Sequence, residues 1–140
     1  MKRTGVVFLI MVIAFATLGM GGLGNQATIE TPEPDRNYSA LLVDQSDVSM
    51  RLEKLSYNGQ TFITGEMGRA RLSIDFRKIS AILFYLEDDK VRAEITLADG
   101  KETELYLEKD IPWFGSSAFA DVRIENKDIK KIGPLAFDPN

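Results

Sequence analysis

The residue types able to do chemistry in this chain are few. Histidine and cysteine are both absent. That removes the commonest general base and neutral metal ligand, and with them thiol nucleophiles, thiolate metal sites and disulfides. No serine is followed three residues later by lysine, so the local signature of serine–lysine hydrolases is missing too. The glycine-rich GMGGLG at 19–24 lies in an N-terminal apolar segment, not between a strand and a helix, and does not read as a phosphate loop. Carboxylates and aromatic rings remain. A pair among the 21 acidic residues could hydrolyse a glycoside, which needs only one acid and one base or nucleophile at a set separation. Asp44 with Asp47, or Glu87 with Asp88 and Asp89, could offer oxygens to Ca²⁺, but the spacing of a Ca²⁺ loop is missing and acids at turns are ordinarily solvated. The sequence therefore predicts a non-enzyme with no catalytic residues, no metal and no cofactor.

The aromatic residues are more specific. DIPWFGSSAF places Pro112, Trp113 and Phe114 beside a flexible Gly-Ser-Ser and contains the single Trp. Exposed, such a cluster binds a protein partner or stacks on a sugar, so Trp113, Phe114, Tyr57 and Tyr106 are the candidate binding residues. Core or edge packing is the preferred expectation for Trp113 and Phe114, because large apolar side chains are usually buried and a shift of 50 residues maps them onto Ile63 and Thr64, inside an expected strand.

The elements that must position these residues follow a signal-like opening. Lys2 and Arg3 precede an apolar run that ends in glycines and small residues, the layout of a secretory signal cleaved after Gly24 or, preferably, Ala27. Val6–Leu23 is also long enough for an uncleaved anchor, which would be the only contact with a membrane. Either way the remainder is expected outside the cytoplasm, periplasmic or secreted. The chain after residue 27 holds 15 basic and 21 acidic residues, a formal charge of −6 with the bases interleaved among acids, which argues against nucleic acid. Pro32 and Pro34 mark 28–38 as an extended linker, leaving 39–140 as the β domain.

Alternation of Leu72, Ile74 and Phe76 with Ser73, Asp75 and Arg77 reads as a half-buried strand, and VRIE at 122–125 repeats it 50 residues later. Ile79 and Ile82 then match Ile129 and Ile132, after a helical or turn-like link. The same shift pairs Gly65 with Gly115, Leu55 with Leu105 and Trp113 with Ile63. A three-residue loop, Ala98–Gly100, sets Ala93 opposite Leu105, and Asn58-Gly59 suggests a two-residue turn with Leu55 opposite Phe62. A third turn falls at Glu87–Asp89. Strands are expected at 47–57, 60–65, 69–76, 81–86, 90–97, 101–108, 118–125 and 130–137. Eight short strands predict an all-β fold, a single small antiparallel sandwich or barrel, with duplication of a β-unit as one origin of its similar halves.

Three functions fit. The first is a non-catalytic extracytoplasmic β module that binds a protein of the bacterial cell envelope or a second copy of itself. A glycan or small-ligand module using the aromatic cluster is the second, and a carboxylate glycosidase the third.

Overall fold

The computed structural model describes residues 29–139, and the expected signal segment lies outside them. All the strands described lie in the unit Thr31–Asn140. The strands are β1 (Asn37–Asp44), β2 (Ser49–Tyr57), β3 (Phe62–Met67), β4 (Ala70–Asp75), β5 (Ile79–Glu87), β6 (Lys90–Leu97), β7 (Glu102–Glu108), β8 (Pro112–Ser116), β9 (Asp121–Glu125), β10 (Ile129–Ile132) and β11 (Ala136–Asp138). Short 3-10 turns at Phe76–Lys78 and Asn126–Asp128 are the only helical elements among the described residues.

The fold is all-β and antiparallel, but it is one sheet of eleven strands curled into a half-barrel, not a sandwich or barrel of eight. Its order is β4-β3-β7-β6-β5-β10-β1-β2-β8-β9, with β11 pairing the start of β1. Three local features account for the extra strands. Strand β1 shows no apolar–polar alternation in sequence, because the buried Leu42 and the adjacent Leu41, exposed on the other face, are both apolar. Strand β8 opens on a proline, which a sheet tolerates only at a strand's first residue or on an edge. The expected 130–137 strand is interrupted at Gly133, whose φ of 144° suits glycine and whose Cβ would lie 2.7 Å from that of Ala81.

The repeat runs through the whole sheet. Exchanging β1 with β6, β2 with β7, β3 with β8, β4 with β9 and β5 with β10 returns the same strand order read backwards. The pseudo-two-fold axis passes through the facing pair Ile82 and Ile132, which are each other's counterparts. Hydrogen bonds repeat as well. Phe76 N–H donates to Thr61 O at 2.9 Å, and Asn126 N–H to Ile111 O at 3.0 Å. Across the halves, Gln45 N–H donates to Asp128 O at 2.9 Å and Ala98 N–H to Lys78 O at 2.8 Å. Each half therefore docks its hairpin turn on the 3-10 turn of the other.

The register corrects the alignment of the first hairpin. Ala40 faces Leu52 and Ala93 faces Leu105, so Leu105 is the counterpart of Leu52, not of Leu55. The difference is taken up between Glu53 and Thr61, where the register shifts and Lys54 has a φ of 53°. The Ala98–Gly100 loop is as expected, with Leu97 N–H donating to Lys101 O at 2.7 Å. Asn58-Gly59 does form a turn, closed by Tyr57 and Gln60, but the strands then part: β2 joins β8 while β3 joins β4 and β7, so Leu55 does not face Phe62. Strand β1 also starts at Asn37, inside the expected linker. Asp35, earlier in that linker, accepts from Thr61 Oγ1 at 3.3 Å, so the segment is laid against the domain.

The counterparts Gly65 and Gly115 let neighbouring strands approach closely. A Cβ at Gly65 would lie 2.8 Å from Leu107 Cδ2 and 2.9 Å from the Tyr106 carbonyl oxygen, whereas at Gly115 the nearest atom is Leu52 Cβ at 3.0 Å. Gly65→Ala is expected to cost about 2–3 kcal/mol and Gly115→Ala about 1 kcal/mol, within the range for overpacking. Urea midpoints with unchanged slopes measure both, and equal costs would contradict the geometry.

Candidate functional site

The four aromatic candidates do not form one surface. Trp113 and Tyr57 face each other across β8 and β2 and point into the half-barrel, where both are buried. The Trp113 ring stacks on Phe76 at 5.6 Å and meets Tyr57 edge-on at 5.0 Å and Phe84 edge-on at 6.2 Å. Asn126, fully buried, organises the polar atoms of this cluster. Its Oδ1 accepts from Trp113 Nε1 at 2.7 Å, and its Nδ2 donates to the Tyr57 hydroxyl at 3.0 Å and the Glu108 carbonyl at 2.8 Å. Burial pushes the Tyr57 phenol above its ordinary range, and the hydrogen bond from Asn126 opposes that rise. Phe114 alternates to the opposite, half-exposed face of β8. Tyr106 stands on the outside of β7, level with Arg92 and, one strand further, Tyr85.

The outer face of β5–β6–β7 is a charged lattice. Arg92 lies 4.6 Å above the Tyr85 ring and bonds Glu87 at 2.7 Å and also Glu94; these carboxylates hold the guanidinium above its ordinary range. Three of the acids considered for Ca²⁺, Asp44, Asp47 and Glu87, have other partners. Asp44 accepts from Ser46 N–H at 2.8 Å and Val48 N–H at 2.9 Å, Asp47 pairs with Lys130, and Glu87 pairs with Arg92. Among the described residues no three acidic side chains are gathered as a metal would require.

The feature that sequence reasoning missed is a fork in the sheet. Strands β5 and β10 pair only through Ile82 with Ile132 and Leu83 with Lys131. Beyond Leu83 they diverge, because a register shift between β1 and β10 draws the start of β10 toward β1, where Gln45 Nε2 donates to the Ile129 carbonyl at 2.8 Å. The result is a cleft of about 500 Å³ lined by Leu83, Phe84, Tyr85, Leu86, Gln45, Lys127 and Lys130. At the opposite end of the axis the strands stay together, since Leu135 N–H donates to Ser80 O at 2.9 Å. Leu83, Tyr85 and Leu86 are all exposed at the cleft, Leu86 by 53 %. Lys127 bonds Asp110 and Glu125, which raise its ammonium pKa, and Lys130 meets Asp47 at 2.5 Å. The sequence signal for the cleft was the run AILFYL, apolar on both alternating faces where a half-buried strand would show only one.

The cleft holds aliphatic and aromatic surface, one amide and two ammonium groups. No helix among the described residues is long and apolar enough to cross a membrane. No curated protein and no solved structure matches the chain. A protein-family model described as "Uncharacterised protein" matches residues 34–134, from just before β1 to just past the end of β10, and so takes in both halves of the sheet. The chain belongs to that family.

Proposed function

We propose that this chain is a non-catalytic β module, exported by its N-terminal segment, that docks a protein partner at the bacterial cell envelope through the cleft between β5 and β10. The observation that carries this reading is the exposure of Leu83, Tyr85 and Leu86 together where β5 and β10 part after two paired residues. Strands that end their pairing early leave apolar side chains and backbone groups for an incoming segment, a common mode of peptide recognition. The missing residue types support a binding role over a catalytic one. Export is supported by the basic, apolar and small-residue layout of residues 1–27.

A photo-crosslinking amino acid in place of Leu86, in cells producing the full-length chain, is expected to give discrete protein adducts. The same residue at Glu102, on the outer face of β7, is expected to give none. Adducts at neither position, or equal adducts at both, would remove the cleft from consideration. The glycan reading has less support, since Trp113 would have to leave the core to stack on a sugar.

A further inference from the structure

We infer that the cleft receives the β8–β9 hairpin tip of a second copy of this chain, with Phe119 as the inserted side chain. This rests on the reading of the cleft as a protein-docking site and names its occupant. The tip is held in shape by its own hydrogen bonds. Ser117 N–H donates to Ala120 O at 2.7 Å, Ala120 N–H donates to Ser117 Oγ at 3.1 Å, and Ser116 Oγ donates to Asp121 at 3.0 Å. On this turn Phe119 is 93 % exposed, more than any other large hydrophobic residue described. The hairpin itself does not require a phenyl ring there, because the counterpart in the β3–β4 hairpin is Arg69. A rigidly presented ring loses little freedom on insertion, so most of its burial is available for binding.

The receiving surface matches in size, apolarity and charge. A cleft of about 500 Å³ lined by Leu83, Tyr85 and Leu86 accommodates a phenyl group. In a chain whose formal charge after residue 27 is −6, the two charged side chains lining the cleft, Lys127 and Lys130, are both cationic. Asp121, two residues after Phe119, brings a carboxylate to them. Among their present partners, Asp110 and Asp47 are exposed and form ion pairs of the kind that contribute little and exchange readily, while Glu125 is half-buried beside Lys127. Tip and cleft are different surfaces, so the contact is heterologous, each copy giving a tip and receiving another, and chains or rings result. One inserted ring and its rim make a small interface, hence a weak and reversible one.

Sedimentation equilibrium on protein purified from cells producing the full-length chain tests this. The average mass is expected to rise with concentration, and Phe119→Asp and Leu86→Asp are each expected to remain monomeric. Mixed in equal amounts, these variants should pair and stop at two, because one keeps only its cleft and the other only its tip. Phe119 is too exposed for its replacement to disturb the fold. Should Leu86→Asp unfold, Lys127→Glu/Lys130→Glu takes its place in the mixture. A wild-type monomer at every concentration, association that survives Phe119→Asp, or a mixture that stays monomeric would each overturn the inference. Crosslinks from Leu86 to a different protein, with a monomeric chain, would overturn it while leaving the docking reading intact; no crosslinks at all would remove both.

Discussion

Asn126→Ala is expected to lower the stability of the domain by about 3 kcal/mol, a large fraction of the roughly 5–15 kcal/mol typical of a domain. Asn126 is fully buried and serves three partners at once: the Trp113 indole N–H, the Tyr57 hydroxyl and the Glu108 carbonyl. Alanine leaves all three facing a void without a replacement donor or acceptor. The cost is mainly that of stranding polar atoms in a low-dielectric interior, which exceeds the net worth of the bonds themselves. Guanidinium unfolding followed by far-UV circular dichroism measures it. A loss below about 1 kcal/mol would mean that water enters and takes over the amide's role, and that the site is not dry.

Trp113→Ala is expected to cost about 3–5 kcal/mol, the range for deleting a fully buried large ring. The ring is the hub of the aromatic core, touching Phe76, Tyr57 and Phe84, and its removal opens a cavity that β8, flanked by β2 and β9, cannot readily collapse to fill. Trp113→Phe should cost far less in packing but still strand Asn126 Oδ1. In the Trp113→Phe background, Asn126→Ala is therefore expected to cost less than it does alone, by about 1 kcal/mol or more, since neighbours in one network do not act additively. Strict additivity would show that the indole and the amide are not energetically linked. The same experiments separate the core role of Trp113 from a surface role. A binding residue could be removed with little loss of stability, and a hub could not.

How much of this was legible depended on whether a residue's surroundings were local. The three-residue loop at Ala98–Gly100 could be read because the register of two adjacent strands decides which side chains face each other, and Gly100 supplies the positive φ the loop needs. The repeat was visible from the spacing of Ile74, Ile79 and Ile82 and of Ile124, Ile129 and Ile132, which reflects a strand, a 3-10 turn and a returning strand in each half. Strand order was not visible, because β2 pairs with β8 and β7 with β3, across halves, and nothing near those strands in sequence specifies the exchange. The same limit affected the site. Trp113 and Tyr57 stand out by residue type alone, but whether an aromatic points in or out depends on register with a strand more than fifty residues away. The cleft depends on where β10 stops following β5, which a bulge against β1 decides. Phe119 drew no notice because a lone aromatic between alanines carries no period, and only the hydrogen bonds of Ser117 make it a fixed projection.

The position of β1 beside β10 has a consequence for the order in which the molecule can be finished. A ribosome releases β1 first, yet its neighbours in the sheet are β2, made at once, and β10 and β11, made last. The central seam of the sheet therefore stays open until nearly the whole polypeptide has been synthesised, and closing loops of that length is slow. Until then β1 has only its hairpin with β2, and the two halves of the sheet are joined only once the last strands have been made.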